Sequence, residues 1–89
     1  MEDGLMRLDK YLKVSRLIKR RTVANQACDM GRVQINGKTA KPSQDVKEGD
    51  VLTLEMGPRI IRARVISLND HIPKAEADAM YVLLPEGDG

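Results

Sequence analysis

Leu8, Tyr11, Leu12 and Ser15 recur at i, i+3, i+4 and i+7, with Lys10 and Lys13 falling between them. That stripe predicts a helix over residues 8–14, with one inward face and cations on the others. Leu17 and Ile18 form a short apolar pair in the connection that follows. A second helix is expected over residues 21–30, with Val23, Ala24, Ala27 and Cys28 facing inward. Gly31 ends it, since glycine takes the left-handed conformation that closes a helix. From Val33 the period changes to two. Val33-Gln34-Ile35 reads as a strand, Asn36-Gly37 as a tight hairpin turn needing positive φ at both residues, and residues 38–40 as the return strand. Pro42-Ser43 breaks that strand and Gly49-Asp50 sets another turn. Residues 51–56 and 60–66 read as two antiparallel strands around Gly57-Pro58. Residues 73–80 predict a short helix, because proline is tolerated in a first turn. Residues 81–84 predict an edge strand and 85–89 a frayed end. The expected fold class is α+β: two packed N-terminal helices against a small antiparallel β-sheet, with a short C-terminal helix or edge strand.

At 89 residues the chain is one small domain with a small core. No apolar run approaches the roughly 20 residues of a membrane span, and charge breaks any N-terminal run before it resembles a signal peptide. The single cysteine, Cys28, rules out an internal disulfide and suits a reducing cytoplasm. With His71 as the one histidine, a Cys/His zinc site is excluded, and no cofactor is expected. Only Tyr11 and Tyr81 are aromatic, which argues against domains that stack bases on aromatic platforms. A nucleic acid would be held through phosphates, sugars and shape.

Charge changes the picture most. Residues 7–41 hold ten basic and two acidic residues, net +8, whereas residues 42–89 hold five basic and nine acidic, net −4. The overall +2 therefore hides a strong dipole with a cationic half able to bind a polyanion. Lys19, Arg20 and Arg21 stand at the start of the second helix, and Arg7 and Lys10 at the start of the first. Cations are misplaced at the positive end of a helix dipole by a few tenths of a kcal/mol each. An external phosphate, bound by free backbone N–H groups and arginines, would resolve both misplacements.

The run Arg7-Leu8-Asp9-Lys10-Tyr11-Leu12, then Arg16-Leu17, Arg21, Ala24, Gly31-Arg32-Val33, Ile35-Asn36-Gly37, Pro42-Ser43, Val46 and Gly49-Asp50, resembles the S4 RNA-binding domain family, which carries the αL RNA-binding motif. The likeness covers roughly residues 7–56. It implies two packed helices against a small antiparallel sheet, with an RNA surface on the helix pair and the nearby hairpin. Arg7, Lys10, Lys13, Arg16, Lys19, Arg20, Arg21, Arg32 and Lys38 are the RNA-binding candidates. The implied division is a lead-in over residues 1–6, the S4-type domain over 7–66 and an acidic C-terminal segment over 67–89. The stretch from Met6 to Thr22, with Lys19-Arg20-Arg21-Thr22, resembles the RqcP subgroup, short relatives of heat shock protein fifteen. The chain lacks the long basic C-terminal extension of the longer relatives. The resemblance implies binding to large (50S) ribosomal subunits obstructed by peptidyl-tRNA, through 23S rRNA and tRNA. It also implies support of C-terminal alanine tailing with RqcH as functional partner. A monomer is expected, with no membrane association. Two alternatives stay open: a general rRNA- or tRNA-binding factor in subunit assembly or recycling, and an adaptor whose acidic half recruits a protein.

Asp9 invites an enzymatic reading, because Arg-Leu-Asp also surrounds the catalytic aspartate of pseudouridine synthases. No catalytic domain follows it, so it is expected to be an acid in a helix's first turn. Cys28 reads as a small buried hydrophobe and His71 as a loop residue. Arg62 and Arg64 should share a sheet face with Ile60 and Ile66. With no nucleophile–base pair, metal cluster or Gly-rich phosphate loop, a non-enzymatic protein is expected.

Overall fold

The computed structural model describes residues 5–68 and 74–85. The chain runs β1 (Met6–Arg7), α1 (Leu8–Val14), α2 (Arg21–Asp29), β2 (Val33–Ile35), β3 (Lys38–Thr39), β4 (Asp45–Val46), β5 (Val51–Met56), β6 (Arg59–Val65), a 3₁₀ helix (Lys74–Met80) and β7 (Tyr81–Leu84). Five strands form an antiparallel sheet in the order β3-β2-β5-β6-β7, and β1 pairs with β4 in a separate two-stranded ribbon. The α+β expectation holds: two helices and an antiparallel sheet enclose one core.

That core is built from both layers. Leu8, Tyr11 and Leu12 of α1, Ala24 of α2, Val33, Leu52, Leu54 and Val65 of the sheet, and Met80 are buried. Each large apolar side chain so buried contributes about 1.5–3 kcal/mol. Helix α2 presents small residues inward, Ala24, Ala27 and Cys28, at i, i+3 and i+4. Val23 was expected to join them and does not; it is 41% exposed. The reason is angular, since a face centred on 24, 27 and 28 turns position 23 away by about 100°.

Local signals placed the turns well. Asn36 and Gly37 both have positive φ, 54° and 84°, which suits the twist of the β2–β3 hairpin. Asn36 does more than turn the chain. Its Nδ2 donates to Asp50 Oδ1 at 3.1 Å and its Oδ1 accepts from Val51 N at 3.0 Å, tying the hairpin to the start of β5. Gly31 has φ 74° directly after α2.

Three differences from the sequence reading concern ends of the chain. Met6, assigned to the lead-in, is buried and pairs with Val46. The acidic segment beyond residue 66 supplies Met80 to the core, while its edge strand falls at residues 81–84 as expected and forms β7, where Val82 faces Arg64 and Leu84 faces Arg62. The expected helix near residue 73 is a 3₁₀ helix beginning at Lys74. His71, Pro73, residues 1–4 and residues 86–89 lie outside the described residues. Ile60, Arg64 and Ile66 are exposed and Arg62 partly so, as their shared outer face requires.

Candidate nucleic-acid interface

The corner between β1 and α1 is braced by the loop before β4. Leu8 N donates to the Gln44 carbonyl at 2.8 Å and Asp9 N to the Pro42 carbonyl at 3.1 Å. These two bonds overturn one expectation: the first N–H groups of α1 are occupied within the protein and do not await a phosphate. They also fix Asp9 in the first turn, where its side chain is 2% exposed.

Around this buried carboxylate the chain gathers donors from both helices. Arg7 approaches side-on, with Nε 3.2 Å from Oδ1 and Nη2 3.0 Å from Oδ2. Arg21 Nη2 lies 3.3 Å from Oδ1 and Asn25 Nδ2 3.2 Å from Oδ2. Burial alone would raise the Asp9 pKa. The hydrogen bonds from Arg7 and Arg21, the Arg21 charge and the Asn25 bond outweigh it and hold the carboxyl below its ordinary value. The acid dismissed as a first-turn charge is thus the hub that joins the two helix starts. Arg7 and Arg21, proposed to seek an external anion, already share an internal one. Both side chains nevertheless remain about half exposed, at 50% and 47%. No sequence signal short of the tertiary fold brings residues 7, 9, 21 and 25 together.

The remaining candidates lie outside the core. Lys13, Arg16, Lys19, Arg20, Arg32 and Lys38 are exposed, and Lys10 is half-buried. Arg20 is the residue before α2, makes no side-chain capping bond there, and no acid stands in the first turn of α2. The cationic misplacement inferred from sequence therefore persists at α2. Lys19 and Arg20 border a hollow shared with Leu17, Ile18, Val23 and Met56, while Arg32 borders another beside Met30 and Glu55. Lys38 lies on the edge strand β3.

Arg16 has φ 66°. It follows the last turn of α1, where Arg16 N donates to the Lys13 carbonyl at 3.1 Å and Ile18 N to the Leu12 carbonyl at 3.0 Å. Glycine is the usual occupant of such a closing position. A left-handed conformation costs a non-glycine residue about 1–2 kcal/mol. Arg16→Gly is expected to be stabilised by about 0.5 kcal/mol, the strain relief less the entropy of a glycine, while its RNA affinity falls. Urea denaturation and tRNA titration of the same variant check both halves; unchanged affinity would remove Arg16 from the surface.

Cys28 is buried and its thiol is pushed up to about 11, by burial first and then by Asp9 and Asp29, so it is not a thiolate near neutrality. Among the described residues no group of three or more His, Cys, Asp or Glu side chains could hold a metal ion, and no helix is long and apolar enough to cross a membrane.

Comparison with known proteins identifies the family and agrees with the fold. The S4 domain matches residues 6–52, the span from β1 to the start of β5 that includes every cationic candidate. A protein of Bacillus subtilis named RQC P-site tRNA stabilizing factor is 54% identical over 81 residues, 91% of this chain and 94% of the relative. Its namesake in Listeria innocua is 53% identical over 81 residues, 91% and 88% of the two chains. Among solved structures, the trimeric heat shock protein 15 of Vibrio cholerae superposes with a TM-score of 0.81 at 32% identity, over 90% of this chain and 82% of that one. With the S4 match extending over half the chain and these identities over nearly all of it, the protein belongs to the S4-domain family and, within it, to the RQC P-site tRNA stabilizing factors, the RqcP group.

Proposed function

We propose that this protein is a non-enzymatic cytoplasmic factor of ribosome-associated quality control. It binds large (50S) ribosomal subunits obstructed by peptidyl-tRNA, contacts 23S rRNA and the tRNA, and supports RqcH-dependent C-terminal alanine tailing. The observation that carries this reading is the pair of half-exposed arginines, Arg7 and Arg21, fixed at the junction of two helices inside the S4 region. Guanidiniums hold phosphate oxygens in paired hydrogen bonds that lysine cannot reproduce. Lys10, Lys13, Arg16, Lys19, Arg20, Arg32 and Lys38 extend the cationic surface along the RNA, consistent with the net +8 of residues 7–41. The S4 membership and the relatives' shared name support tRNA as part of the target.

Sucrose-gradient sedimentation of tagged protein from cells tests the proposal, with tRNA and nascent-chain analysis of its fraction. Co-migration with large subunits that still hold peptidyl-tRNA is expected. Co-migration with tRNA-free subunits or precursors would replace this role with one in assembly. A position at the top of the gradient at low salt would overturn the ribosomal reading.

A further inference from the structure

The face of α2 turned away from Arg21 has no part in the RNA reading. At about 100° per residue, Val23 and Met30 stand roughly 160° and 180° around the helix from Arg21. Both are apolar and open to solvent, Val23 at 41% and Met30 at 62%. Two hollows of about 390 Å³ and 400 Å³ meet beside them, because Val23 and Met56 line both. Together they form one groove between α2 and the β5–β6 turn. Ala27 and Met30 floor one end, Leu17 and Ile18 the other. A contiguous apolar surface of this kind, rimmed by charge, marks an interaction site. Among the described residues lining it, Lys19, Arg20 and Arg32 are cations and Glu55 is the one acid. An occupant with matching charge is therefore acidic. Neither tyrosine lines the groove, so it lacks the aromatic platform on which an unstacked base rests. Met30 and Met56 supply flexible thioethers, which adapt to the apolar side chains of a protein. Two joined hollows also suit successive anchors at i, i+3 or i+4 and i+7 of a helix better than one base.

We propose that this groove docks an acidic amphipathic helix of a protein partner. The helix lays its apolar stripe on Val23, Met30 and Met56 and turns its carboxylates toward Lys19, Arg20 and Arg32. Those three cations also belong to the surface proposed for RNA, and their charge alone would accept either polyanion. The apolar floor makes the choice, because phosphates and riboses gain nothing from it whereas leucine-like side chains do. The site goes beyond the RNA reading and does not depend on it. Helix α2 then presents two working faces, with Arg21 on one and the protein-docking floor on the other.

The test reads the groove on the full chain, with methionine methyl groups labelled for NMR. Met30 and Met56 line the groove, whereas Met80 is fully buried and serves as the internal reference. The probe is a helical peptide of about 18 residues, with leucine at i, i+3, i+4 and i+7 and glutamate elsewhere. It should shift the Met30 and Met56 methyls and leave Met80 in place. The same peptide with glutamine for glutamate should bind severalfold more weakly, and the difference should shrink in high salt. Val23→Ser combined with Met30→Gln should cost the glutamate peptide at least about tenfold in affinity, since apolar burial is lost. The tRNA affinity of that variant should stay within about twofold of wild type, because no phosphate contact is removed. Absence of methyl shifts with the glutamate peptide, or equal binding of the glutamine peptide, would overturn the proposal. A matching loss of tRNA affinity in the double variant would give the floor to RNA instead. Self-association of the wild type that the double variant abolishes would give it to a second copy. Failure of the wild type to bind tRNA would overturn the RNA reading alone and leave the groove's result standing. Should the double variant not fold, the two-peptide comparison on the wild type decides the question.

Discussion

Replacing Arg7 and Arg21 together with alanine is expected to lower tRNA affinity about 100-fold near 0.1 M salt. Each guanidinium supplies charged hydrogen bonds to phosphate, worth about 1.5–3 kcal/mol where they are made. Both also contribute to counterion release, so the slope of log affinity against log salt should fall by about 1.5, close to two phosphate contacts. The double change has a structural cost too. It strips Asp9 of three of its four hydrogen bonds and leaves a buried carboxylate with Asn25 alone. Stability should fall by about 1–3 kcal/mol, and the Asp9 pKa should rise once its cationic partners are gone. The sign of the pH effect follows. In the wild type the depressed folded pKa of Asp9 makes a stabilising contribution that is present above the unfolded value near 4 and is lost as pH falls through the folded value. The double variant should lack that acid-sensitive component. A folded variant with wild-type tRNA affinity would remove this arginine pair from the interface. The corresponding double lysine variant separates charge from geometry: it keeps the salt slope but not the full affinity.

Met80→Ala is expected to destabilise the fold by about 2–4 kcal/mol, the usual cost of truncating a buried methionine. A domain with total stability of about 5–15 kcal/mol loses a large part of it that way. At this chain length the melting temperature should drop by more than about 10 °C. Met80 is fully buried although it belongs to the acidic segment after residue 66. Its carbonyl accepts the Tyr11 hydroxyl at 2.8 Å, as well as Ile66 N at 2.8 Å and Ser67 N at 3.1 Å. The same buried hydroxyl keeps its proton, since burial and then Tyr81 raise the Tyr11 pKa. Helix α1, the end of β6 and the start of β7 therefore meet at one peptide group. Leu83→Ser, at a position 61% exposed, serves as the control and should change stability by no more than about 0.5 kcal/mol. Thermal unfolding followed by circular dichroism checks both variants. A loss below about 0.5 kcal/mol for Met80→Ala would show that residues 74–84 do not share the core.

What could be read from sequence was what neighbours along the chain determine. The i, i+3, i+4 stripe of Leu8, Tyr11 and Leu12, the Gly31 stop and the Asn36-Gly37 turn are encoded within a few residues. The charge asymmetry is additive and needs no fold at all. These signals placed both helices, the hairpin and the central β5–β6 pair within a residue or so. The tertiary structure decided the rest. Val23 turned outward because packing selected one centre for a short apolar face. Met6 entered a strand because Val46, far along the chain, offered it a partner. Asp9 became a hub because Arg21 and Asn25, 12 and 16 residues away, converge on it. Tyr11 found its acceptor 69 residues away. Local conformational preference is written residue by residue, but a hydrogen bond between distant side chains exists only after the chain has closed the loop between them.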